Sequence, residues 1–123
     1  MIESKFIDSS LWLDYLFNGN HKDILEQYPL LMISTLSWFE IKKKLHKEKI
    51  DSQKISRSLQ FIQKRSLFIP VTFEVAEKAS QLSLQFELPA VDSLIYASAL
   101  LQNAELLTKD NDFRTLKHAV VLS

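Results

Sequence analysis

The chain has no cysteine, which excludes thiolate nucleophiles, Cys-based metal sites and disulfides. Its chemistry must rest on oxygen and imidazole groups. Among the acids, Asp8, Glu40, Asp92, Asp110 and Asp112 stand out by context. Asp8 closes "KFID", Asp110 and Asp112 follow the apolar "ELLT", and Glu40 falls about one and a half turns into the amphipathic "TLSWFEIKKKL". Asp92 sits at the start of "AVDSLIYASALL", where an isolated buried charge is expensive. Carboxylates gathered at one edge raise one another's pKa unless a cation lies among them. Mg²⁺ prefers oxygen ligands, keeps several waters, and leaves positions for phosphate oxygens. Such a group suits metal-assisted phosphodiester hydrolysis.

Each acid also has a plainer reading. Asp8 before Ser9 and Ser10 resembles a helix N-cap, and Asp110 with Asp112 resembles an Asx turn. Glu40 has Lys43 and Lys44 at i+3 and i+4. Asp92 in a first helical turn is worth about 0.3–1 kcal/mol through the helix dipole. Asp14, Asp23, Glu26, Glu74 and Glu77 read as solvated helix faces, and His21, His46 and His118 as surface residues.

The elements that would position these acids alternate. Short strands are expected at Lys5–Ile7, Pro29–Ser34, Leu67–Thr72, "ELLT" and the terminal "AVVLS". Helices are expected over Ser9–Phe17, Thr35–Ile50, Asp51–Arg65, Phe73–Phe86 and the segment after Pro89, with a short turn in "DFRTLKH". The inward faces read Leu36, Phe39, Ile41 and Leu45, then Ile55, Leu59 and Ile62, then Val75, Ala79 and Leu82. Gly19 is the only glycine, so Asn-Gly and Asp-Gly hairpins are missing and an all-β meander is disfavoured. Alternating apolar strands and helices predict a three-layer α/β/α sandwich around a mostly parallel sheet of about four to five strands. In such a sheet, functional groups collect beyond the carboxyl ends of the strands near the switch in strand order, where these five acids can converge.

At 123 residues, 46% hydrophobic and 24% charged, the chain fits one globular domain, residues 1–123, with a helical hairpin at about 35–65. A net charge of zero argues against a strongly basic nucleic-acid binder. The bases are nevertheless segregated: most of the Lys and Arg lie between Lys42 and Arg65, opposed there by Glu48 and Asp51 alone. That hairpin offers phosphate contacts through Lys43, Lys44 and Lys47, or is a solvated face. No apolar run has signal or membrane-span length, so a cytoplasmic protein with no membrane partner is expected.

Four blocks together resemble the PIN domain, and within it the VapC-like ribonuclease toxins of toxin–antitoxin pairs: "FIDSSLWLDYL", "ISTLSWFEIKKKL", "LPAVDSLIYASAL" and "AELLTKDNDFRTL". The resemblance covers essentially the whole chain. It implies Asp8, Glu40, Asp92 and Asp110 as the acidic quartet, with Asp8, Asp92, Asp110 and Asp112 around the metal, leaving open which of Asp110 and Asp112 is the direct ligand. Ser9 and Thr108 would supply supporting hydroxyls. It further implies an Mg²⁺- or Mn²⁺-dependent endoribonuclease acting on single-stranded RNA or exposed loops of tRNA, rRNA or mRNA. A homodimer and a cognate antitoxin protein that covers the site are implied as well. Trp12, Trp38 and Phe61 would stack on bases or pack in an interface or the core.

Other classes fit less well. A PIN-type processing nuclease without an antitoxin, or a non-catalytic RNA- or protein-binding adaptor, are the alternatives. A phospho-acceptor signalling domain needs paired acids after the first strand and a Lys after the last, whereas Asp8 is followed by Ser9 and Ser10 and "AVVLS" ends without Lys.

Overall fold

The computed structural model describes residues 4–123; the first three residues of the expected 1–123 domain lie outside it. Five strands form the sheet: β1 (Lys5–Ile7), β2 (Leu31–Ser34), β3 (Ser66–Ile69), β4 (Glu105–Thr108) and β5 (Ala119–Val121). Every pairing is parallel, in the order β3-β2-β1-β4-β5. β3 lies at an edge and stops before Pro70, which has no N–H for a ladder, so the expected strand to Thr72 is cut short.

Six helices connect the strands: α1 (Ser9–Asn18), α2 (Lys22–Leu25), α3 (Thr35–Lys47), α4 (Ser52–Arg65), α5 (Phe73–Phe86) and α6 (Ala90–Leu101). Ser34 caps α3 by accepting from the Leu36 amide, Asp51 caps α4 by accepting from Gln53 and Lys54, and Thr72 caps α5 by accepting from Val75. The expected turn in "DFRTLKH" is a 3₁₀ turn one residue earlier, at Asn111–Phe113. The single-turn α2 was not anticipated, being too short to show a helical period.

Side chains alternate between the two faces of the sheet, which builds two cores. Phe6, Met32 and Leu106 join Val75, Ala79, Leu82, Ile95 and Tyr96, so α5 and α6 cover one face. Ile7, Leu31, Ile33 and Leu107 join Leu11, Trp12, Ile41, Leu45, Ile55 and Ile62, so α1, α3 and α4 cover the other. The result is the three-layer sandwich, stabilised by roughly 1.5–3 kcal/mol for each large side chain fully withdrawn from water.

Phe39 departs from its expected inward place. It is 61% exposed, because Ile41 and Leu45 already define the buried stripe of α3 and Phe39 lies off it. Trp12 is fully buried and meets Tyr15 and Phe61 edge-on, while Trp38 packs edge-on against Phe68. Trp12 therefore belongs to the core, which excludes it as a base-stacking platform.

Candidate metal centre

The strand order reverses between β1 and β4: the chain moves outward from β1 through β2 to β3, then returns to place β4 and β5 on β1's other side. The segments beyond β1 and β4 diverge from that crevice and carry Asp8 on one side and Asp110 and Asp112 on the other, with Thr108 at the end of β4 between them.

Asp8 occupies the N-cap position of α1, yet its side chain makes no cap hydrogen bond. The Oδ2 atom instead accepts from the Ser10 hydroxyl at 2.8 Å and the Thr108 hydroxyl at 2.7 Å. Capping therefore does not account for this acid. Thr108 Oγ1 also accepts from the Asp110 amide at 3.0 Å, and Ser10 Oγ accepts from the Lys109 amide at 3.0 Å. Residues 108–110 are thereby tied to the start of α1.

Asp110 does form the Asx turn, accepting from the Asp112 amide at 2.9 Å, and caps the 3₁₀ turn. The turn and the acidic cluster coexist: Asp92, Asp110 and Asp112 each present a carboxylate oxygen, all within 4.8 Å of one another. Desolvation pushes the Asp92 carboxyl up to about 7, helped by the charge of Asp110, a hydrogen bond with Asp112, and the charges of Asp8 and Asp112. Four acids thus act on one small volume. Glu40 lies at the exposed margin, where Ser9 Oγ donates to its Oε1 at 3.3 Å. Desolvation raises its pKa, and Asp8 raises it further against the Ser9 hydrogen bond.

The donors are all hard oxygens, matching a small divalent cation rather than a soft one. Desolvation of Asp92 and its repulsion by Asp110, Asp8 and Asp112 are what such a cation offsets. The residues present fit Mg²⁺ or Mn²⁺.

Around this centre the basic hairpin divides. Lys42, Lys43, Lys44 and Lys47 are exposed on α3, the helix that also carries Glu40. Lys43 Nζ lies 5.9 Å from the Phe39 ring centroid, and Lys44 pairs with Glu48 at 3.0 Å. Arg65 serves the fold, donating to the carbonyls of Leu25 and Tyr28.

Asp14 is not the solvated residue expected of it. It is 8% exposed, its carboxylate surrounded by Asn18, Asn20, His21 and Lys109. His21 is accordingly half-buried rather than a surface residue, while His46 and His118 are exposed. The signal for Asp14 was a polar line, Ser10, Asp14 and Asn18, at four-residue spacing along α1.

A family model described as PIN domain matches residues 5–119. No curated protein matches the chain. Among solved structures, a toxin–antitoxin complex from Klebsiella pneumoniae is 26% identical, with 95% of this chain and 96% of that chain covered at a TM-score of 0.79. VapBC2 from Rickettsia felis, bound to a DNA fragment from its promoter, is 16% identical, with 97% of both chains covered and a TM-score of 0.78. VapC20 from Mycobacterium tuberculosis, a toxin cleaving the sarcin-ricin loop, is 15% identical, with 92% of this chain and 95% of that chain covered and a TM-score of 0.70.

Proposed function

The chain belongs to the PIN domain family, and we propose that it is a divalent-metal-dependent endoribonuclease acting as the toxin of a toxin–antitoxin pair. The observation that carries this reading is the meeting of Asp92, Asp110 and Asp112 within 4.8 Å, beside Asp8, at the reversal of the sheet.

In this reading Asp8, Asp92, Asp110 and Asp112 hold Mg²⁺ or Mn²⁺, and both acids of the segment after β4 contribute. Once bound, the cation supplies an activated water and offsets charge on the attacked phosphate. Ser10 and Thr108 hold the Asp8 carboxylate in place. Glu40, whose proton affinity is raised by its surroundings, takes the proton from the attacking water. The water oxygen bonds to phosphorus, one P–O ester bond breaks, the leaving oxygen takes a proton from solvent, and Glu40 returns the proton it accepted to solvent, so that one water is consumed for each bond cut.

The exposed lysines of α3 support RNA as the substrate, since Lys43, Lys44 and Lys47 share a helix with Glu40 and supply phosphate contacts without sequence readout. The exposed Phe39 offers a base-stacking face there, in place of Trp12. The likeness to the Klebsiella pneumoniae toxin–antitoxin complex supports a cognate antitoxin. A homodimer is supported by Phe73, 81% exposed, and Leu84, 83% exposed, which lie three turns apart on one side of α5. No described helix is long and apolar enough to cross a membrane.

The direct test is mapping of new RNA 5′ ends after brief expression, with Asp8→Asn as control. Discrete new ends in tRNA, rRNA or mRNA with the native chain alone are expected. Identical ends from both proteins would overturn the assignment. Neutralisation of growth inhibition by the product of a small adjacent reading frame separates a toxin from a processing nuclease.

A further inference from the structure

We propose that Asp14 is a positioning residue: through the Lys109 ammonium it fixes the segment after β4 that carries Asp110 and Asp112. The inference rests on the reading of those acids as metal ligands and extends it to a residue that touches none of them.

Asp14 lies near the middle of α1 and is almost fully withdrawn from solvent. Its Oδ1 accepts from Asn18 at 2.8 Å and Asn20 at 3.1 Å; its Oδ2 receives Asn20 at 3.2 Å, His21 Nε2 at 2.8 Å and Lys109 Nζ at 2.9 Å. The hydrogen bond from Asn18 and then that from Lys109 hold its carboxyl well below the usual carboxylate range, so it is an anion at any physiological pH. An ionised carboxylate only accepts, so His21 presents Nε2–H to it.

Three of these donors come from the end of α1 and the turn after it, and stabilise that turn. His21 needs such support, since it holds a left-handed backbone at φ 66°. Lys109 is different, because it arrives from the far side of the crevice, 95 residues along the chain. It is attached to α1 twice: its amide donates to Ser10 Oγ, and its ammonium reaches Asp14, one helical turn further on. Lys109 stands between Thr108 and Asp110, so the two attachments fix both the position and the direction of the backbone that leads into the Asx turn. The Lys109 side chain is one-third exposed and its ammonium is paired with a nearly buried anion, which makes its geometry better defined than that of a free surface lysine.

Supports of this kind typically contribute about 10–100-fold to metal affinity or activity. The experiment compares the native chain with Lys109→Met, Lys109→Arg and Asn20→Ala. Lys109→Met keeps the aliphatic stem and removes the ammonium. Lys109→Arg restores the charge. Asn20→Ala removes a different contact of Asp14 without touching the loop.

Three quantities are read: amide exchange at Asp110 and Asp112 in cation-free protein, Mn²⁺ affinity by calorimetric titration, and kcat and KM on an RNA oligomer. Lys109→Met is expected to speed exchange at both amides, weaken Mn²⁺ about 10–100-fold, and lower kcat with KM unchanged. Lys109→Arg is expected to recover most of the loss, and Asn20→Ala to match the native chain in Mn²⁺ affinity. Unchanged exchange and Mn²⁺ affinity in Lys109→Met would overturn the proposal. So would an equal loss in Asn20→Ala, which would reduce Asp14 to a staple of the α1–α2 turn. A raised KM with native Mn²⁺ affinity would make Lys109 a phosphate contact and also overturn it. If the native chain binds no Mn²⁺, the metal reading fails, while amide exchange still decides whether Lys109 anchors the loop.

Discussion

Thr108 and Asp8, 100 residues apart in sequence, meet at 2.7 Å: the Thr108 hydroxyl donates to Asp8 Oδ2 while accepting the Asp110 amide. One buried hydroxyl thus links the acid after β1 to the loop after β4. Thr108→Val keeps the branched shape and removes both bonds, leaving the Asp110 amide without that partner. With Asp8 in its proposed role as a metal ligand, the expected outcome is a folded protein whose kcat falls about 10–100-fold. Steady-state kinetics alongside circular dichroism checks it, and native kcat in the variant would show that Asp8 needs no such orientation.

Asp92 predicts how cation-free protein responds to pH. Its carboxyl is raised from 3.8 to about 7, first by desolvation and then by Asp110. Between those values the folded state keeps a proton that the unfolded chain has released, so stability falls as pH rises from about 4 to about 7 and then levels. Glu40 is raised as well and adds in the same direction, so the contribution of Asp92 is the difference between native protein and Asp92→Asn. Asp14, held low, loses its stabilising effect only as the pH falls below the ordinary carboxylate range. Urea midpoints in EDTA from pH 4 to 8 measure this. A native profile as flat as that of Asp92→Asn would remove the proposed crowding of carboxylates.

How far the chain announced these features depends on local pattern. The strands and five of the helices were legible because apolar runs and amphipathic stripes are local signals, as with Val75, Ala79 and Leu82 on α5. Turn positions were harder to see. With one glycine, left-handed backbone falls to His21, Lys49, Glu87, Asn103, Thr115 and His118, types that carry little turn signal apart from Asn103. Phe39 was misplaced because a helical period tolerates an apolar residue at the margin of the buried stripe. The acids after the strands were legible from topology, since their positions follow from the strand ends. Asp14 was not, because its character comes from Lys109, which only the tertiary fold brings near. The polar line Ser10, Asp14 and Asn18 along α1 marks a shared face, but a solvated acid and a buried anchor produce the same line.

Removal of the divalent cation tests the donor set as a whole. EDTA is expected to abolish cleavage, with Mg²⁺ or Mn²⁺ restoring it, because Asp92, Asp110 and Asp112 offer only carboxylate oxygens. Asp8→Asn and Asp92→Asn should each lower cleavage by at least about 100-fold while keeping the fold, since each removes a charge from the cation's surroundings. Growth inhibition should disappear with cleavage. Activity that persists in EDTA would rule out the metal mechanism.

The lysines of α3 make the last case. Lys43 and Lys47 extend from the same helix as Glu40, and Lys44 is engaged by Glu48 at 3.0 Å. An exposed i,i+4 pair of that kind is weak, about 0.3–0.5 kcal/mol, so a phosphate displaces Glu48 at little cost. Each phosphate contact on single-stranded RNA releases counterions and adds about 0.7 to the slope of log affinity against log salt. Changing Lys43, Lys44 and Lys47 to Gln together should therefore flatten the slope by about 2 and weaken binding most at low salt. Phe39→Ala in the same titration should weaken binding by about 1–3 kcal/mol with the slope unchanged, because stacking on a base moves no counterion. That contrast separates charge from stacking on one helix. A slope untouched by the triple substitution would return α3 to a solvated face and remove it from the proposed RNA contact.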